Sequence, residues 1–179
     1  GKKMKEIKRV KTISEVHESF GLPKPKHPLV SIHRHEDMVK NDAFLNVPFC
    51  IELYQLSYKM CATGSFRYGR NSYDFQEGTI VFMRPSQVVT FTEWPDEDPT
   101  GGWTLLFHPD LIRKSELGRN IDHYGFFSYD ANEALHISEE EKQTLFDIKD
   151  KIIKEYSLNI DKHSQKLIIS NIELMLDYC

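Results

Sequence analysis

The chain has 179 residues, 40% hydrophobic and 12% aromatic, enough apolar material for one packed domain and too much for a disordered chain. Its net charge of −4 gives no electrostatic footing for nucleic-acid binding, and runs such as IVFM and TLLF are too short to span a membrane. Three cysteines, Cys50, Cys61 and Cys179, form no CxxC motif, and free thiols suit a cytoplasmic chain.

Residues 1–27 read as an N-terminal extension. GKKMKEIKRVK is basic, but no apolar stretch follows it, so no signal peptide is predicted. Residues 28–108 are β-type, with turn signals at close spacing. HPLVSIH predicts a short first strand, and PFCIELYQLSYKM a longer one. SFRYGRNSYDF predicts two short strands about Gly69, followed by TIVFM, VVTFTEW, a loop PDEDPTGG and a last strand WTLLFH. Several short strands with no helix between them argue for an antiparallel sandwich or barrel.

Residues 109–137 show no single period. Pro109 sits where a helix start tolerates a missing N–H, and short helices are expected here. Residues 138–179 hold no glycine or proline. Ser138 and Glu141 form a capping box. Leu145, Ile148, Ile152 and Tyr156 then make one apolar stripe along a helix. Asn159 to Asp161 interrupt it, and a second helix from about Lys162 carries Ile168, Ile172, Met175 and Cys179 on one face, with Leu167 and Leu174 beside them. A helical hairpin is expected. Its stripe still runs at the last residue, which suggests a chain cut within a helix.

FQEGTIVFMRPSQ is the most punctuated stretch. Gly78 permits a tight turn, the apolar run fits a buried strand, and Pro85 ends it because proline cannot donate to a ladder. Glycine, strand, proline and a further strand is the layout of a cupin hairpin within a jelly-roll barrel, an architecture that encloses a ligand-sized interior. The metal positions of that pattern are not kept. Anchored on Gly78, the carboxylate position falls on Asn71 and the histidine positions on Ser65 and Arg67, or Gly64 and Phe66. Gln87 and Thr90 stand where the later glycine and histidine belong. His33 and His35, with Glu36 beside them, share one strand face at a spacing a metal can use. They stand at a strand end beside Arg34 and Asp37, and a surface role is assigned to them. His108 is expected to bond nearby backbone at its strand-to-helix corner. No nucleophile elbow or catalytic triad is visible, so no catalytic residue, metal or cofactor is predicted.

SYDFQEGTIVFMRPSQVVTF, GWTLLFHPDLI, HYGFFSYDANEALHISEEEK and HSQKLIISNIELMLDYC together resemble the N-terminal portion of AraC-type transcriptional regulators of the branch common in Bacteroides-like bacteria. The resemblance runs from about Ser14 to Cys179. It implies a cupin-like β-barrel that senses an effector, a helical dimerisation region, and DNA binding only through a C-terminal helix-turn-helix domain that lies beyond this sequence. The expected fold is mainly β with α: a cupin-like double-stranded β-helix over 28–108, a connection over 109–137 and a helical hairpin over 138–179.

The family's effector contacts do not carry over, so pocket residues rest on strand alternation. Glu52, Tyr54, Leu56 and Tyr58 share a face, as do Trp103, Leu105 and Phe107. Tyr54, Tyr58, Trp103 and Phe107 are the candidates to close on a small molecule. Arg84, at a strand end, is the candidate to hold a carboxylate or phosphate. Leu167, Ile168, Ile172 and Met175 are the expected homodimer interface. The alternatives to a regulatory module are a metal-dependent cupin enzyme and a ligandless dimerisation domain.

Overall fold

Alternation of apolar and small polar residues in VSIHR, YQLSY and WTLLF makes strands with two different faces, and both faces are covered. The computed structural model describes residues 6–61, 65–68, 71–74, 79–94, 97–125, 135–136, 138–158 and 160–179. In chain order the elements are β1 Lys8–Val10, α1 Ile13–Ser19, β2 Val30–Arg34, β3 Phe49–Ile51, β4 Tyr54–Cys61, β5 Ser65–Tyr68 and β6 Asn71–Asp74. They continue as β7 Thr79–Met83, β8 Val88–Thr90, β9 Glu97–Phe107, α2 Pro109–Ile112, α3 Glu116–Asn120, β10 Leu135–His136, α4 Glu139–Ser157 and α5 Lys162–Asp177.

The strands form two five-stranded sheets, ordered β1-β3-β8-β5-β6 and β10-β7-β4-β9-β2. Among the described strands only β1 and β3 pair in parallel. One core lies between the sheets, where Phe49, Ile51 and Val89 of the first meet Val81, Met83 and Leu106 of the second. A second core lies on the outer face of the second sheet. There Ile32, Leu56, Phe82 and Leu105 pack beneath α4 and α5 through Leu145, Ile148, Ile152, Ile168 and Ile172. The layers are sheet, sheet and helices. Among the described residues the two sheets do not join into a closed barrel. No helix there is long and apolar enough to cross a membrane.

The helical hairpin forms where the sequence predicts it. Ser138 Oγ accepts from the Glu141 N–H at 3.1 Å, the Glu141 side chain returns to the Ser138 N–H, and the two helices pack along their apolar stripes. The connection holds the short helices α2 and α3, with Pro109 at the first turn of α2 and His108 Nδ1 accepting from the Asp110 N–H.

Other expectations are corrected. The N-terminal extension is part of the sandwich: β1 adds a strand to the first sheet, and Val10, Ile13, Val16 and Phe20 enter the inter-sheet core. PFCIELYQLSYKM is two strands in different sheets. The chain crosses over at Glu52 and Leu53, and Glu52 leaves the strand face to meet Arg9 at 2.9 Å and Ser86 at 2.6 Å. PDEDPTGG is not wholly loop. Its later residues extend β9, with pairing to β4 stepping from Tyr58↔Trp103 to Met60↔Asp98 across a register shift. Gly101, with φ of 84°, makes the backbone step that such an irregularity needs. β7 and β8 do not pair as a hairpin. After Pro85 and the positive-φ Ser86, the chain passes from the second sheet to the first. Gly78 and the metal-pattern position Gly64 lie outside the described residues.

Candidate inter-sheet ligand cavity

Register explains the site. Across the second sheet, His33 on β2 pairs with Thr104 on β9, Thr104 with Ser57 on β4, and Ser57 with Val81 on β7. One step along, Ile32, Leu105, Leu56 and Phe82 form the next row. Because side chains alternate, the apolar row faces the helices and the polar row faces the other sheet. That polar row floors a cavity of about 320 Å³ between the sheets.

The walls are apolar and aromatic: Phe20 just after α1, Phe49 and Val89 from the first sheet, and Phe91 and Trp94 after β8. Phe49 and Phe91 stack with centroids 5.8 Å apart, and Trp94 lies 5.4 Å from Phe91. Trp94 is fixed by its Nε1–H, which donates to Asp42 at 3.0 Å. On the floor Gln55 Nε2 donates to Ser57 Oγ at 3.1 Å, Ser57 Oγ and Thr104 Oγ1 share a hydrogen at 2.9 Å, and His35 Nε2 and Thr104 Oγ1 share one at 2.6 Å. Four side chains from two strands and the turn after β2 thus form one chain of hydrogen bonds, which polarise one another in a low-dielectric interior.

His35 belongs to the 3₁₀ turn His35–Asp37 and is held from behind by Gly102, where a Cβ would stand 2.5 Å from its Nδ1. The correction here is direct: His33 and His35 face inward, with His35 buried and both ring nitrogens of His33 buried, rather than serving the surface. Arg34, between them, points the other way and pairs with Glu36 and Asp37. Burial, with the neighbouring His35 and His17 adding repulsion, pushes His33 down to about 3, so this imidazole is neutral at pH 7. Its ring lies 6.0 Å from His17 and 6.3 Å from His35. Three histidines invite a metal, but among the described residues no group of three or more His, Cys, Asp or Glu is arranged to hold one. His35 is committed to Thr104 and Gly102. The side chains of Ser65, Phe66, Arg67 and Asn71 lie outside those described.

The cavity offers a small molecule apolar walls, a polar floor and a rim carrying Lys40, Lys59 and Glu36. Its size is that of an ordinary small-ligand pocket. Such a site suits binding and orientation of an apolar or aromatic compound with one hydrogen-bonding group.

The pocket candidates named from alternation do share a face, but it is the opposite one. Tyr58, Trp103 and Phe107 are buried against the helical layer. Tyr58 stacks on Trp103 at 6.2 Å and meets Phe146 of α4 edge-on at 4.8 Å, and half-buried Tyr54 stacks on Phe107 at 5.1 Å. Arg84 follows β7, where its N–H meets Gln87 Oε1, away from the cavity lining. Ser57, Thr104, His33 and His35 were missed as site residues. Their signal was present: single polar residues at alternate positions in otherwise apolar strands mark an inward polar row. Of the expected dimer residues, Ile168, Ile172 and Met175 are buried within the chain, and Leu167 alone is exposed.

Compared with protein-family models and with curated proteins, the chain matches none.

Proposed function

We propose that the chain is the effector-sensing and dimerising part of an AraC-type DNA-binding transcription regulator, a cytoplasmic binding module rather than an enzyme. In this reading the two sheets are a cupin-like jelly roll, and DNA is contacted only through a helix-turn-helix domain outside this sequence. The observation that carries the reading is the aromatic-walled cavity between the sheets, on a sheet whose other face bears the helical hairpin.

An effector in the cavity touches β4 and β9, whose outward residues are the bed of α4 and α5. A ligand that binds one packing of sheet on hairpin better than another shifts their populations by that difference in affinity. The hairpin presents a second apolar stripe to solvent. Leu167, Leu174 and Tyr178 on or beside α5 are 36%, 39% and 54% exposed. A second copy of the chain covers this stripe in the proposed homodimer. Sedimentation tests the dimer: a reversible monomer–dimer equilibrium is expected, and a strict monomer at about 100 µM, equivalent to a Kd above about 1 mM and less than about 4 kcal/mol of association, contradicts it. The sensing half is tested by ligand-dependent stabilisation of the folded chain.

A further inference from the structure

A second cavity of about 370 Å³ runs along the edge strand β2, between the segment 22–26 and α4. Its apolar walls include Ile32 of β2 and Ile153 of α4. Among the described residues four cations line it, Lys24, Lys26, Arg34 and Lys149, against one acid, Asp37. Arg34 is engaged by Glu36 and Asp37, and Lys149 by Asp150 at 2.9 Å. Among the described residues Lys24 and Lys26 have no acidic partner.

The same cleft collects buried polar atoms that lack partners. Trp103 Nε1, His17 Nε2 and both ring nitrogens of His33 are buried without a hydrogen bond among the described residues, and all three residues line the cleft. A buried polar atom without a partner is destabilising, and native structures keep few of them. Their polarity is mixed. The indole can only donate. His17 Nδ1 lies 2.7 Å from the Pro23 carbonyl and must donate to it, so in the neutral ring Nε2 is an acceptor. An apolar ligand satisfies neither atom; a hydroxyl group, which donates and accepts, satisfies both kinds.

We propose that this cleft binds a small hydroxylated anion, a carboxylic acid or a phosphate ester, with Lys24 and Lys26 holding the charge and Trp103, His17 and His33 taking the hydroxyls. The unpartnered atoms are themselves buried, so contact requires side-chain rotation, and Trp103 reports it. The ligand touches both the sandwich and α4, beside the hydrogen bond that Tyr156 makes to Lys26. This cleft shares only His33 with the inter-sheet cavity among their lining residues, and its proposal stands or falls independently of the regulator reading.

The chain has two tryptophans, and they fall one to each cavity: Trp94 in the first, Trp103 in the second. In a Trp94→Phe background, emission from Trp103 is followed while malate, glycerol 3-phosphate, glycerol or inorganic phosphate is added. A saturable change with malate or glycerol 3-phosphate is expected, and the pair tells carboxylate from phosphate ester. Affinity should fall at least about tenfold in a Lys24→Ala/Lys26→Ala version, about 1.4 kcal/mol. The inference is overturned if neither anion gives a saturable change up to about 10 mM. It is equally overturned if glycerol or inorganic phosphate alone does as well, or if the lysine replacements leave the affinity unchanged. Should Trp94→Phe fail to fold, thermal stabilisation of the unmodified chain by the same four compounds separates the same outcomes.

Discussion

The Tyr156 hydroxyl, in the last turn of α4, accepts a hydrogen bond from the backbone N–H of Lys26 at 3.0 Å. Residues 130 apart in sequence are thereby joined, and the helical hairpin is tied to the segment that leads into β2. Burial pushes the Tyr156 phenol up, so it stays protonated at ordinary pH. Tyr156→Phe removes the acceptor and keeps the ring. It should lower the unfolding free energy by about 1 kcal/mol in urea titrations and speed amide exchange at Lys26. Unchanged exchange at Lys26 would show that the contact does not hold the segment.

His33 makes stability depend on pH. Its folded value of about 3 lies below the value near 6.5 of an exposed histidine, so the unfolded chain takes up the proton first as pH falls. The contribution is complete above about 6.5 and is lost progressively down to about 3, amounting to about 2 kcal/mol by pH 5. Urea unfolding from pH 7 to pH 5 should therefore show a steeper decline for the parent chain than for His33→Gln. Equal declines would mean that His33 takes up its proton as readily folded as unfolded.

Gly102 is required by His35 rather than by its own backbone. A Cβ there overlaps the imidazole, so Gly102→Ala should push His35 off Thr104 and break the hydrogen-bond chain on the cavity floor. A loss of about 1–3 kcal/mol is expected, since Thr104 and His35 would be left buried with fewer partners. Restoration by a second change, His35→Ala, would confirm the clash as the cause; a further additive loss would contradict it.

The two faces of α5 should respond differently to substitution. Ile168→Ala or Ile172→Ala opens a cavity in the core beneath the hairpin and should cost about 2–5 kcal/mol. Leu167→Glu with Leu174→Glu alters the exposed stripe, so stability should stay within about 0.5 kcal/mol while self-association is lost in sedimentation. Association that survives the double charge would place the partner surface elsewhere.

Local signals were legible in the sequence; relations between sheets were not. The capping box at Ser138, the helix period of Leu145 to Tyr156, proline at the start of α2 and alternation in β4 and β9 all rest on near neighbours, and the structure has them. Alternation fixes which residues share a face but not what covers that face. Tyr58, Trp103 and Phe107 were therefore grouped correctly, but on the face beneath the helices, where Trp103 also lines the cleft beside β2, and not on the face of the inter-sheet cavity. The same ambiguity hid Ser57 and Thr104, which occupy the cavity face. His33 and His35 looked like a charged strand end because Arg34, Glu36 and Asp37 surround them in sequence. In space those three turn outward and pair with one another. The split at Glu52 was illegible for a similar reason. The partners that Glu52 meets there, Arg9 by an ion pair and Ser86 by a hydrogen bond, are distant in sequence.

Whether the cavity between the sheets takes a small effector is decided by thermal unfolding of the chain beside its Val89→Trp variant. Val89 is buried on the cavity wall, and an indole there fills the space. Both proteins are screened against one library of small aromatic and aliphatic acids, alcohols and amides. At least one compound should stabilise the parent, by about 2.7 kcal/mol at a hundredfold excess over its Kd, and leave the filled variant unmoved. A library that stabilises neither protein, or both to the same extent, would refute the sensing role of the cavity.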